Sequence, residues 1–90
     1  MTGRKFEVRT SCAADRDLRK LRQWEDDVES ILLGLGEDLY QGELLHGSMR
    51  GVRALHFSLR GSGEYRAAYL VLVDERVVLV FMIASRENFY

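Results

Sequence analysis

From Val52 onward the chain alternates apolar and polar residues with a period of two, and this pattern constrains its fold more than any other feature. Leu55, Phe57 and Leu59 alternate with Ala54, His56, Ser58 and Arg60. Gly61-Ser62-Gly63 then interrupts, and Tyr65, Ala67, Tyr69 and Val71 resume the alternation. Two such stretches joined by three glycine-rich residues specify a β-hairpin. A loop of just those three residues pairs Arg60 with Glu64 and Ser58 with Arg66. Leu55, Phe57, Leu59, Tyr65, Ala67 and Tyr69 then share one face, and His56, Ser58, Arg60 and Arg66 the other. Val73-Asp74-Glu75-Arg76 reads as a second tight turn. Val77 to Ala84 is almost continuously apolar, as a central strand covered on both sides would be.

The first half follows different periods. In Lys5-Phe6-Glu7-Val8-Arg9, Phe6 and Val8 alternate with charge, which predicts a short strand. Ser11 is placed to cap a helix whose apolar positions are Ala14, Leu18 and Leu21. Trp24, Val28, Ile31, Leu32 and Leu35 continue the stripe, as one long helix or as an antiparallel pair bent near Arg22 and Gln23. Two helices fit 90 residues better. Gly34 and Gly36 weaken the helix end, and Glu37 to Arg50 reads as an irregular connection. The expected architecture is an α+β fold: one strand, two helices and a three-stranded antiparallel meander, with the helices packed on one sheet face.

With 47% apolar and 30% charged residues and no proline, residues 1–90 form a single ordered domain. Its size implies modest stability unless a partner adds buried surface. A single cysteine, Cys12, excludes an internal disulfide, and no Cys/His cluster has metal-ligand spacing, so neither a metal nor another cofactor is expected. Gly34-Leu35-Gly36 and Gly61-Ser62-Gly63 do not link a strand to a helix and read as turns rather than phosphate cradles. Asp26, Asp27 and Glu29 read as a solvated helix face, and His46 as a loop histidine. No apolar run approaches the roughly 20 residues of a membrane span, and Met1 to Phe6 holds no signal core; the expected location is the cytoplasm. The net charge of −1 argues against a strong nonspecific nucleic-acid binder. It is unevenly placed: residues 1–45 carry seven bases and ten acids, residues 46–90 six bases, all arginine, and four acids. Arginine's planar fork suits phosphate, so an anion site is expected in the second half.

The informative group is His56, Ser58, Arg60 and Arg66 on one sheet face, joined by Arg86 and Tyr90 after the last strand. Two readings compete. In one, the face is solvated and its arginines pair with Glu64, Glu87 or the acidic helix. In the other, it is a groove for a phosphodiester, with arginines neutralising the anion and Tyr90 or His56 moving protons or stacking on a base.

Residues 54–69, Ala-Leu-His-Phe-Ser-Leu-Arg-Gly-Ser-Gly-Glu-Tyr-Arg-Ala-Ala-Tyr, with the apolar strand Val77 to Ala84 and the ending Ser85-Arg86-Glu87-Asn88-Phe89-Tyr90, resemble the RelE toxins of the RelE/ParE superfamily. Phe6-Glu7-Val8 and Asp17-Leu18-Arg19-Lys20-Leu21 are similar to that family's first strand and helix, so the resemblance spans nearly the whole chain. It implies a toxin of a type II toxin–antitoxin pair, bound by a cognate antitoxin. The implied activity is a metal-independent mRNA endonuclease (mRNA interferase) cutting messages in the ribosomal A site. There the RNA 2′-hydroxyl attacks its own adjacent phosphate, and the protein aligns the attack, stabilises charge and moves two protons. By the same resemblance the catalytic set is Arg66 on the scissile phosphate, Arg86 as charge stabiliser or proton donor and Tyr90 as base or orienting group; His56 is added to it as the acid or base standing in for a family lysine. Arg60, Ser58 and Arg53 are expected to hold the RNA. Where RelE toxins carry two lysines before the hairpin this chain has His56 and Ser58, and its Arg86-to-Tyr90 spacing is shorter by two. An imidazole can replace a lysine as acid or base. The alternatives are a ParE-like gyrase-inhibiting toxin, against which Arg86 and Tyr90 speak, and a catalytically inactive module that binds only an antitoxin-like partner.

Overall fold

A computed structural model describes residues 5–45 and 51–88. Five strands form one sheet in the order β1-β5-β4-β3-β2. They are β1 (Glu7–Thr10), β2 (Glu43–Leu44), β3 (Arg53–Leu59), β4 (Gly63–Leu72) and β5 (Val77–Ser85). Helices α1 (Cys12–Arg19) and α2 (Glu25–Leu33) are separated by a 3₁₀ turn, Arg22–Trp24. The expected α+β class, the two helices and the bend near Arg22 are all present. β1 pairs in parallel with β5, and the other neighbours are antiparallel.

Ser11 caps α1 as its sequence position suggests: its hydroxyl oxygen accepts from the Ala14 amide at 3.1 Å. The same residue keeps the chain attached to the sheet. Its amide donates to the Val80 carbonyl at 3.0 Å and its hydroxyl to the Phe81 carbonyl at 3.3 Å. Phe81 is the extra residue of a bulge, because Ala68 pairs with Met82 while Tyr69 pairs with Val80. Beyond the end of β1, Asp17 takes over and accepts from the Ile83 amide at 2.9 Å. α1 thus completes the edge of β5 that β1 is too short to cover.

The core lies between the helices and the odd-numbered face of β3 and β4. Leu21, Val28, Leu32 and Leu35 meet Leu55, Phe57, Ala67, Tyr69, Val78 and Val80 there. Each fully buried aliphatic of this kind contributes roughly 1.5–3 kcal/mol. On the other sheet face Val52, Ala54 and Ala68 form a second, smaller cluster with Leu70, Phe81 and Met82. β5 is an interior strand as expected, but among the described residues no helix covers this second face. Its continuous apolarity serves two separate clusters.

Two connections differ from expectation. Glu37 to Arg50 was expected to be irregular, yet Glu43 and Leu44 pair with Ala54 and Arg53 as a two-residue edge strand. The loop leading to it is anchored by Tyr69, whose hydroxyl accepts from the Gly42 amide and donates to the Leu39 carbonyl, both at 2.9 Å. Gly42 must be glycine, since a β-carbon there would lie 2.7 Å from that hydroxyl. The hairpin loop also lies one residue earlier than expected: it is Arg60-Gly61-Ser62 rather than Gly61-Ser62-Gly63. Leu59 pairs with Gly63, Ser58 with Glu64 and His56 with Arg66, a shift of two residues from the expected register. The Ser62 amide closes the turn on the Leu59 carbonyl at 2.9 Å, and Gly61 (φ 80°) and Gly63 (φ 105°) supply left-handed backbone. A two-residue shift preserves parity, so the strand residues keep their expected faces.

Candidate active site

The face without helices carries a grid set by the register. His56 on β3, Arg66 on β4 and Ala84 on β5 form one row across the sheet. Ser58 and Glu64 form the next, extended by Arg86, which opens the 3₁₀ turn after β5 and reaches Glu64 at 3.4 Å. Ala54, Ala68 and Met82 lie in the row on the other side. Ala54 and Ala68 are fully buried within the second apolar cluster, so the polar part of this face is confined to the His56 and Ser58 rows, where guanidinium and imidazole groups can meet an anion. Arg66 is half-buried, its Nε withdrawn from solvent, whereas His56, Ser58 and Arg86 are exposed.

Two carboxylates flank these groups. Glu43 Oε1 lies 3.4 Å from His56 Nε2, and Glu64 Oε1 lies 3.4 Å from an Arg86 guanidinium nitrogen. All four side chains are largely solvated, so each pair is a weak association that a phosphate can displace. Pairing of Arg86 with Glu64 follows one of the two sequence readings. Glu43 was not identified from sequence, because a two-residue strand leaves no periodic signal.

The structure brings together His56, Ser58, Arg66 and Arg86. Arg60 was expected on this face but stands in the turn beyond β3, where the tight Leu59–Ser62 closure removes it from the ladder; its side chain is exposed at the hairpin tip. Arg53 is not brought to this face. It pairs with Tyr69 in the row of Leu55 and Phe57, donates to the carbonyls of Gly42 (2.7 Å) and Tyr40 (3.3 Å), and lies over the Tyr40 ring. Its guanidinium holds the loop that presents Glu43. Tyr90 lies outside the described residues, as does His46. A cleft of about 360 Å³ lies elsewhere: Val8, Leu18, Leu21 and Leu32 line it between β1, α1 and α2. Among the described residues no group of three or more His, Cys, Asp or Glu side chains is placed to hold a metal, and no helix is long and apolar enough to cross a membrane.

No protein-family model matches the sequence, and no curated protein matches it. Solved structures do. A RelBE toxin–antitoxin complex from Mycobacterium tuberculosis superposes with a TM-score of 0.76 at 23% identity, over 92% of this chain and 100% of that one. The intact Escherichia coli RelBE complex gives 0.70 at 23% identity over 92% and 99%. A mutant of E. coli RelE in the free state gives 0.73 at 22% identity over 96% and 88%. These superpositions extend over nearly the full length of the chain, and the protein has the fold of the RelE toxins.

Proposed function

We propose that the protein is the toxin of a type II toxin–antitoxin pair and a metal-independent endoribonuclease that cleaves mRNA on the ribosome, in the cytoplasm, until a cognate antitoxin binds it. The observation that carries this reading is the placement of Arg66 directly opposite His56, with Arg86 one row away, on the helix-free face of a RelE fold. The presence of RelE-fold toxins in RelBE complexes supports the antitoxin partner.

The reaction needs three things from the chain. Arg66, fixed by its half-buried stem, holds the scissile phosphate and stabilises charge on the pentacoordinate phosphorus. The 2′-oxygen attacks that phosphorus as its proton passes to a base; the P–O5′ bond breaks, leaving a 2′,3′-cyclic phosphate, and the departing 5′-oxygen takes up a proton. His56 and Tyr90 serve these two proton transfers, and Arg86 stabilises the leaving oxygen by hydrogen bonding. Arg60 and Ser58 hold the flanking RNA.

The test is cleavage of mRNA by purified protein with ribosomes and excess chelator. Products ending in a cyclic phosphate and a free 5′-hydroxyl are expected, and Arg66→Ala should lower the rate about 10²- to 10³-fold. Intact mRNA, or cleavage that requires added magnesium after ribosomes are accounted for, would overturn the reading. The carboxylates on His56 and Arg86 favour a second reading, a non-catalytic module that binds only a partner. Expression of the chain alone without any effect on growth or translation would support it.

A further inference from the structure

Gly61 and Gly63 supply the left-handed backbone of the β3–β4 turn. A β-carbon built at either position meets nothing within 4 Å, so neither glycine packs against the body of the protein. Two of the turn's ties are local: the Ser62 amide on the Leu59 carbonyl, and a 2.5 Å hydrogen bond between the hydroxyls of Ser62 and Tyr65. Neither fixes Arg60 relative to the helices. A third contact does. The indole Nε1 of Trp24 donates to the Arg60 carbonyl at 3.1 Å, across 36 residues of sequence.

Trp24 is suited to that task. It ends the 3₁₀ turn between α1 and α2, and its half-buried ring packs against the main core, so its N–H is aimed from a rigid platform. Indole has one donor and no acceptor, so its hydrogen bond has a single sense. The Arg60 carbonyl is solvent-accessible and would find water if the indole were absent. The contact therefore adds little to folding and acts mainly by narrowing the positions the turn samples.

We propose that Trp24 is a positioning residue for the RNA-contacting turn: its indole N–H fixes the Arg60 backbone and so places the Arg60 guanidinium at the exposed hairpin tip, beyond the cationic face. This rests on the proposed RNA-binding role of that face, and the experiment separates the two claims. Wild type, Trp24→Phe, Arg60→Ala and the double variant are titrated with a single-stranded oligoribonucleotide, after thermal unfolding has established that each is folded. Trp24→Phe should weaken binding about 3- to 10-fold and, in cleavage, raise KM with kcat nearly unchanged. In the Arg60→Ala background it should add less than about twofold, because the group it positions is gone. Full additivity, or wild-type affinity in Trp24→Phe, would overturn the positioning role. Trp24 is the chain's sole tryptophan, so its emission reports on the turn, and the oligoribonucleotide should change it in wild type and not in Arg60→Ala. If wild type binds no RNA, the function reading fails while the positioning claim is still decided by amide exchange: Gly61 and Ser62 should exchange several-fold faster in Trp24→Phe, and unchanged exchange refutes it.

Discussion

Glu64 and Arg86 face each other at 3.4 Å across β4 and the turn that follows β5, so a carboxylate already sits where a phosphate would meet the last arginine of the cationic face. The pair is open to water and screened by salt.

Glu64→Gln should therefore strengthen oligoribonucleotide binding about 2- to 5-fold at low ionic strength, with the gain shrinking as salt rises, while unfolding free energy changes by less than about 1 kcal/mol. A filter-binding or anisotropy titration over a salt series measures it. Unchanged or weaker binding would show that Arg86 does not meet the RNA.

Gly42→Ala should destabilise the fold by roughly 1–3 kcal/mol, because the new methyl group meets the Tyr69 hydroxyl at 2.7 Å and the Ala54 carbonyl oxygen at 2.9 Å. Denaturant unfolding gives the number. The same change should loosen the loop that presents Glu43, and the distance between Glu43 and His56 can be followed through nuclear Overhauser contacts.

Burial pushes the Tyr69 hydroxyl above its ordinary value near 10, partly opposed by the hydrogen bond from the Gly42 amide and by the charge of Arg53. A raised acid pKa means that the folded state holds its proton more tightly than the unfolded chain. The resulting contribution is fully present below about pH 10 and is lost as pH rises toward the folded value. Stability should thus fall as the pH rises above about 10, and the fall should be smaller in Tyr69→Phe. That variant should be less stable at pH 7 by about 1–3 kcal/mol, since Gly42 N–H and Leu39 C=O lose their partner. Equilibrium unfolding of both proteins between pH 7 and 11 checks the sign.

Asp17→Ala removes the acceptor of the Ile83 amide, on a stretch of β5 that β1 does not reach. A loss of about 1–3 kcal/mol is expected. Hydrogen exchange at Ile83 should accelerate well beyond that at Val78, which lies within the β1 pairing; equal protection at the two sites would contradict the edge-completing role.

Local chemistry was enough to determine the two α-helices and the four longer strands of this protein. The switch from helical to two-residue periodicity, the cap at Ser11, the bend near Arg22 and the left-handed glycines of the hairpin are all properties of neighbouring residues. Even the shared face of His56, Ser58 and Arg66 was legible, because side-chain parity survives a register shift of two. Tertiary structure decided what depends on distant partners. A turn placed one residue earlier took Arg60 out of the ladder, the two-residue strand β2 brought Glu43 to His56, and the carbonyls at Tyr40 and Gly42 claimed Arg53. Those outcomes depend on which backbone groups remain to be paired once strands and helices are docked. Periodicity tells which face a side chain takes; the need to satisfy buried backbone across the whole fold sets which side chains finally meet.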